Sequence, residues 1–232
     1  MIGESAVRRL AESSVAVFGL GGVGSYAVEA LARAGVGRLR LVDFDEIKYS
    51  NFNRQLYALE ATVGRKKVEV AAERIAQINP ACIVDKRDIF ADAASMPDLL
   101  SPPLDVVIDA IDSLSSKVAL LSAAHGLGRP TVTCMGASTR LDPLAVRVGD
   151  ISESSVCPLA RMVRKKLHAL GVFKGILCVY SVEPADTVRA SESAEPENFV
   201  RGRTRPSLGS ISYMPALFGL LAAREAIGII TK

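Results

Sequence analysis

Cysteine is scarce and scattered in this 232-residue sequence. Cys82, Cys134, Cys157 and Cys178 form no CxxC pair. That spacing argues against a disulfide scaffold and against a structural zinc site with paired thiolates. There are only two histidines, His125 late in a helical pattern and His168 in a basic one, so neither reads as the acid of a hydride-transfer site. The start, Met1-Ile2-Gly3-Glu4, lacks a basic segment followed by an apolar run, so no secretory signal is expected and a cytoplasmic setting is the default. No uninterrupted run of about 20 apolar residues occurs. The most apolar stretch, Met214 to Ile230, is broken by Arg224 and Glu225 and reads as a docked core helix, not a stable transmembrane segment. Nor is there a large excess of one charge: 28 Lys plus Arg oppose 25 Asp plus Glu, for a net +3.

What is present is alternation. Val15 to Phe18, Leu39 to Val42, Asp105 to Ile111 and Thr131 to Cys134 read as buried strands. Between them, Val23 to Ala34, Val68 to Ile78 and Lys117 to Ala124 repeat apolar residues at helical spacing, and Gly35, Gly37 and Asn79-Pro80 supply stop signals. The expectation is an α/β fold, a Rossmann-like and mostly parallel sheet with flanking helices. The pattern loosens after about Gly149. Pro158 to Leu170 then reads as a helix, Leu177 to Ser181 as a strand, and Pro184 to Pro206 as a mobile loop before the last helix. The chain is expected to be a single domain over 1–232. About 1–150 forms the nucleotide-binding core, and about 151–232 forms an acceptor-binding helix and strand extension with its mobile loop near 184–206.

Gly19-Leu20-Gly21-Gly22-Val23-Gly24 fits GxGxxG between a strand and a helix, where backbone N–H groups and a helix N-terminus attract phosphate. Asp43 follows at the distance usual for a carboxylate that bonds ribose hydroxyls. These features alone do not separate NAD from ATP. Arg54 and Lys67 favour the triphosphate, because a guanidinium fork and an ammonium would stabilise charge on departing pyrophosphate. Taken singly, Arg54 reads equally as a loop charge, and Lys67 as part of a solvated helix face with Arg65 and Lys66. Asp112, after the strand ending Asp109-Ala110-Ile111, could hold Mg²⁺ against the phosphates, N-cap the helix carrying Lys117, or do both.

Together GLGGVGS, DFD, SNFNRQ, VGRKK and DAIDS occur in order over roughly residues 3–150. They resemble the ATP-dependent adenylating domain of ubiquitin-activating-enzyme-like proteins of the ThiF/MoeB/HesA type. The resemblance implies ATP and Mg²⁺ as cofactors and an acyl-adenylate as intermediate. It places Gly19, Gly21, Gly22, Gly24, Asp43, Asp45, Asn51, Arg54, Gln55, Lys67 and Asp112 at the nucleotide. Arg54, Lys67 and Asp112 are the catalytic set, and Asp112 is the metal ligand. Further stretches, Ala27 to Gly37, Ala72 to Pro80, Leu141-Asp142-Pro143, Cys157 to Ala160 and Leu217-Phe218-Gly219, resemble the branch acting on threonylcarbamoyl-modified adenosine beside a tRNA anticodon. That branch implies ATP-driven loss of water, with ring closure expelling AMP.

The resemblance also implies a homodimer and, as a further partner, a protein of a sulfur-transfer system. The alternative is activation of the C-terminal glycine of a sulfur-carrier or ubiquitin-like protein. Cys157 would then be the best thiol candidate, although it reads better as a small buried residue at a helix start. Two departures stand out. The arginine that relatives carry on an N-terminal helix has no counterpart, since Arg8 and Arg9 lie too far along. The cysteine that some relatives carry before the last helix is missing from Thr204-Arg205-Pro206-Ser207, so no catalytic thiol is assigned. For tRNA, the candidates are Arg161, Arg164, Lys165, Lys166, His168 and Lys174, in a stretch without an acidic residue, and Arg201, Arg203 and Arg205 in a second. Arg161, Lys165 and His168 fall on one helix face. The bland reading is a solvated helix beside a basic loop.

Overall fold

The computed structural model describes residues 2–185, 196–197, 205–206 and 209–232. Its elements run α1 (Glu4–Glu12), β1 (Ser14–Phe18), α2 (Gly24–Arg33), β2 (Arg38–Val42), α3 (Lys67–Ile78), β3 (Ile83–Arg87), α4 (Met96–Leu99) and β4 (Val106–Asp109). They continue as α5 (Leu114–Gly126), β5 (Thr131–Cys134), β6 (Val146–Asp150), α6 (Pro158–Ala169), β7 (Leu177–Ser181) and α7 (Tyr213–Thr231).

Seven strands form one sheet in the order β3-β2-β1-β4-β5-β7-β6. All neighbours are parallel except β6 and β7. Side chains alternate across a strand, so β1 serves two cores at once. Val15 and Val17 pack with α2, α3 and α7, while Ala16 and Phe18 pack with α4 and α5 on the opposite face. Cover on both faces is why β1 reads as an unbroken apolar run. A third cluster, including Val163, Leu167, Cys178 and Tyr180, seats α6 beside β7.

α7 is long and apolar enough, by length and composition, to cross a membrane. In the fold it packs on α1, α2 and the strands β4 and β5. Met214, Phe218, Ala222 and Ala226 recur every fourth residue and are fully buried. The crossing with α2 is close, because a Cβ at Gly219 would lie 2.2 Å from the Val23 carbonyl oxygen. The docked core helix expected at Met214 to Ile230 is therefore present.

Several elements differ from expectation. The strand expected at Asp105 to Ile111 covers only Val106–Asp109, because Asp109 Oδ1 accepts the Ile111 N–H and turns the chain out of the sheet. The helices α1 and α4 and the strands β3 and β6 had no sequence prediction. β3 and β6 are the two sheet edges, half-buried at best, so their apolar signal is diluted. The loop expected at 184–206 lies outside the described residues, except for 184–185 and the antiparallel pairing of Pro196–Glu197 with Arg205–Pro206.

Candidate nucleotide site at the sheet switch point

Chain order reverses between β1 and β4: β2 and β3 lie on one side, β5 on the other. Ligands of open α/β sheets bind beyond the strand C-termini at such a point. Two turns meet there. Gly19 leaves β1 with φ +85°, and a Cβ on it would stand 2.8 Å from the Ala110 carbonyl oxygen of the turn after β4. A Cβ at Gly24 would lie 1.7 Å from the Gly19 oxygen, so α2 begins directly on the turn. The loop 50–55 closes over the same place. A Cβ at Gly22 would meet Arg54 Cγ at 3.2 Å and Pro215 Cβ at 3.0 Å, and one at Gly21 would lie 3.8 Å from Gln55 Nε2.

Asp43 stands at the end of β2. Its Oδ2 accepts the Leu20 N–H at 2.6 Å, and its Oδ1 accepts the Asp45 N–H at 2.8 Å. The carboxylate thus ties the glycine turn to the second strand while each oxygen keeps a lone pair. Burial pushes the Asp43 carboxyl up from its usual range, Lys67 pulls it down, and Asp45 pushes it up again. Lys67 opens α3 with its Nζ 2.9 Å from Asp45 Oδ2 and 3.9 Å from Asp43 Oδ2. The solvated-face reading of Lys67 is overturned, since the residue is buried. Its neighbours do face outward: Arg65 pairs with Glu73, and Lys66 with Glu46 and Asp88.

Asn51 is buried and shapes the 48–55 loop. Its Oδ1 accepts the Lys48 N–H at 3.0 Å, and its carbonyl accepts the N–H groups of Arg54 and Gln55. Arg54 is half-buried, with Nη1 donating to the Ser50 carbonyl at 2.8 Å and to Asn53 Oδ1 at 2.9 Å. Asp112 follows the β4 turn and is exposed. The N-cap position of α5 is Ser113, whose own side chain makes no cap hydrogen bond. No cluster of three or more His, Cys, Asp or Glu that could hold a metal occurs among the described residues. One carboxylate fits a divalent ion only if phosphates and water complete the shell, which is how Mg²⁺ usually binds.

One group beneath the site carries no sequence prediction. Lys117 is fully buried and donates to Asp109 Oδ2 at 2.6 Å and to the Cys134 carbonyl at 3.0 Å. Thr133 Oγ1 also donates to Asp109 Oδ2, at 2.6 Å. The other oxygen, Asp109 Oδ1, holds the turn leading to Asp112. The available signal was an acid inside an apolar strand followed eight residues later by a lysine.

The basic stretch divides. Arg161, Lys165, Lys166, His168 and Lys174 are exposed. Arg164 is not part of that surface, because its Nη1 donates to the Ser154 carbonyl at 2.5 Å and to the Ser154 hydroxyl. It pins the loop before α6. Arg201 and Arg203 lie outside the described residues, as does the side chain of Arg205. Cys157 is buried at the N-cap of α6, as expected of a small core residue. Arg9 donates to the Thr231 carbonyl at 2.5 Å and so braces α1 on α7.

The chain matches the ThiF family over residues 1–232. It is 39% identical over 229 residues to the tRNA threonylcarbamoyladenosine dehydratase of Bacillus subtilis, spanning 97% of this chain and 90% of that protein. It superposes with a TM-score of 0.87 on the crystal structure of E. coli tRNA N6-threonylcarbamoyladenosine dehydratase in complex with ATP. That structure is 36% identical, and the match covers 98% of this chain and 89% of that one. The similarity to E. coli molybdopterin-synthase adenylyltransferase is 36% over 133 residues, only 57% of this chain.

Proposed function

The chain belongs to the ThiF family, and we propose that it dehydrates N6-threonylcarbamoyladenosine in tRNA to the cyclic oxazolone at the expense of ATP. The observation that carries this reading is the glycine turn Gly19 to Gly24 tied to Asp43, with Arg54 and Lys67 close by, in a chain alike from end to end to dehydratases of that name. A threonyl carboxylate oxygen attacks the α-phosphorus. The new P–O bond forms as the bond to pyrophosphate breaks, and pyrophosphate takes the electron pair. The carbamoyl group then attacks the activated carbonyl, loses its proton, and expels AMP with one former carboxylate oxygen. The net change is loss of water.

In this reading the N–H groups of the 19–24 turn cradle phosphate, and Asp43 uses its remaining lone pairs for ribose hydroxyls. Asp45 holds Lys67 in place, and Lys67 and Arg54 meet the charge that builds on the departing phosphates. Asn51 and Gln55 frame that pocket. Mg²⁺ would be held by Asp112 and the nucleotide's own phosphates, and when bound it neutralises charge on pyrophosphate. Asp112→Asn is then expected to weaken the Mg²⁺ dependence of turnover, and an unchanged metal titration would remove Asp112 from that role. We read residues 1–150 as the nucleotide core of one domain and 151–232 as its acceptor side. As partners we propose tRNA, a second copy of the chain, and a sulfur-transfer protein, in the cytoplasm.

The second reading is activation of a carrier protein's C-terminal glycine. It is favoured only by the partial match to molybdopterin-synthase adenylyltransferase, and it has no paired cysteines to support it. Acceptor-dependent exchange of labelled pyrophosphate into ATP separates the two. Modified tRNA is expected to support exchange. Exchange with a sulfur-carrier protein and none with modified tRNA would overturn the dehydratase reading.

A further inference from the structure

Beside the nucleotide site lies a cavity of about 220 Å³, lined by Thr139, Arg140, Leu141, Gly209, Ser210 and Ile211. Its walls are tied together. Thr139 N–H donates to the Gly209 carbonyl at 3.0 Å, the Ser138 and Ser210 hydroxyls are 3.0 Å apart, and the Tyr213 hydroxyl donates to the Leu141 carbonyl at 2.7 Å. The same wall reaches the phosphate side. Asn53 Nδ2 donates to the Ser210 carbonyl at 2.9 Å, and Asn53 Oδ1 accepts from Arg54 Nη1 at 2.9 Å.

Arg140 is the anomaly in this wall. It is only 2% exposed, and among the described residues its Nε has no hydrogen-bond partner and its Nη1 meets Thr139 Oγ1 at 3.3 Å. Among the described residues no carboxylate pairs with it. The neighbouring acids are engaged elsewhere: Glu183 accepts the N–H groups of Leu141 and Asp142, and Asp142 Oδ1 accepts the Leu144 N–H. A buried guanidinium without a counter-charge is costly, and that cost falls when an anion arrives. A planar fork suits a carboxylate in particular. The cavity is smaller than the roughly 300 Å³ and upward of whole-ligand pockets, a size that fits one acyl group better than a nucleoside.

We propose that Arg140 is the seat of the acceptor's carboxylate, holding the group to be adenylated beside the phosphates that Arg54 faces. The proposal rests on the dehydratase reading and adds to it a substrate-binding residue.

The test uses the full chain with ATP, Arg140→Gln and Arg140→Lys, and two probes: tRNA bearing N6-threonylcarbamoyladenosine and the same tRNA with plain adenosine, which has every phosphate but no carboxylate. Arg140→Gln is expected to raise the KM for modified tRNA by roughly 10- to 100-fold. The KM for ATP and the affinity for plain tRNA should stay put, and Arg140→Lys should recover part of the loss. Unliganded Arg140→Gln should melt no lower than the parent, because it removes a buried charge that has no carboxylate partner among the described residues. Equal weakening of both tRNAs would assign Arg140 to a backbone phosphate and overturn the proposal. An unchanged KM with a lowered melting temperature would make the residue structural and overturn it too. Failure of the parent chain to use modified tRNA at all would instead sink the dehydratase reading, before any variant is compared.

Discussion

Lys67 and Lys117 are both buried lysines paired with aspartates, and their surroundings assign them different work. Lys67 faces Asp45, whose side chain is 35% exposed, so the pair opens onto the site. Lys117 and Asp109 are both at 0%. Lys67→Ala and Arg54→Ala are expected to lower turnover by ~10²–10³. Only the half-buried Arg54 should be replaced with the melting temperature nearly unchanged, since Lys67→Ala also leaves the buried Asp43 without its cation. Parent-like turnover in either would show that the phosphate assignment is wrong. Lys117→Met should instead cost stability, about 3–5 kcal/mol, because it strands a buried carboxylate. Adding Asp109→Asn should return part of that loss, since a neutral amide needs no counter-charge and its Oδ1 still accepts the Ile111 N–H. Urea denaturation of the single and double variants measures both, and a loss in the double variant as large as in the single would contradict the account.

At the scale of elements, one clamp joins α2 to α3. Glu29 accepts from Arg74 at 2.9 Å and 3.0 Å and from Arg33 at 2.8 Å. The Arg74 hydrogen bonds lead in holding the Glu29 carboxyl below its usual value of 4.5, against the opposing effect of burial. A depressed carboxyl contributes stability above its unfolded value, and that contribution is lost as pH falls through the folded value. Glu29→Gln should therefore cost about 1 kcal/mol at neutral pH, with Arg74 partly exposed and solvent screening the pair. The gap between parent and variant should close as the solution is acidified below 4.5. A gap that persists there would trace to packing. On α6, Arg161 and Lys165 are exposed while Arg164 is engaged by Ser154. Reversing Arg161 and Lys165 to Glu should weaken tRNA binding and flatten its salt dependence, with ATP binding retained. Unchanged binding across a salt series would exclude this face as the docking surface.

For the whole molecule, the sheet order sets where a ligand can sit. The turns after β1 and β4 meet at Gly19 and Ala110, and Asp43 and Lys67 reach the same end of the sheet from separate parts of the chain. ATP with Mg²⁺ should raise the melting temperature, by an amount equivalent to about 2.7 kcal/mol at a hundredfold excess over Kd. NAD should not. Stabilisation by NAD alone would turn the reading toward an oxidoreductase.

The alternation of strands and helices, the GxGxxG turn, Asp43 and the single basic helix were legible from residue order alone. Each depends on local physics: burial periodicity, backbone freedom at glycine, and charge that repeats along one helix. That Met214 to Ile230 would form a docked core helix was also legible, but the face it buries, with Met214, Phe218, Ala222 and Ala226, was decided by the packing. Tertiary structure decided what depends on neighbours distant in sequence. The edge strands β3 and β6 exist because β2 and β7 offer them hydrogen bonds, not because their own residues alternate cleanly. Lys67 is buried because Asp43 and Asp45, more than 20 residues earlier, come to meet it. Arg164 leaves the basic face because Ser154 stands in its reach. Arg140 has no carboxylate partner among the described residues, where Glu183 and Asp142 already hold backbone N–H groups. Charge can be counted along a chain, but whether it meets water, a partner or nothing is fixed only when distant segments pack together.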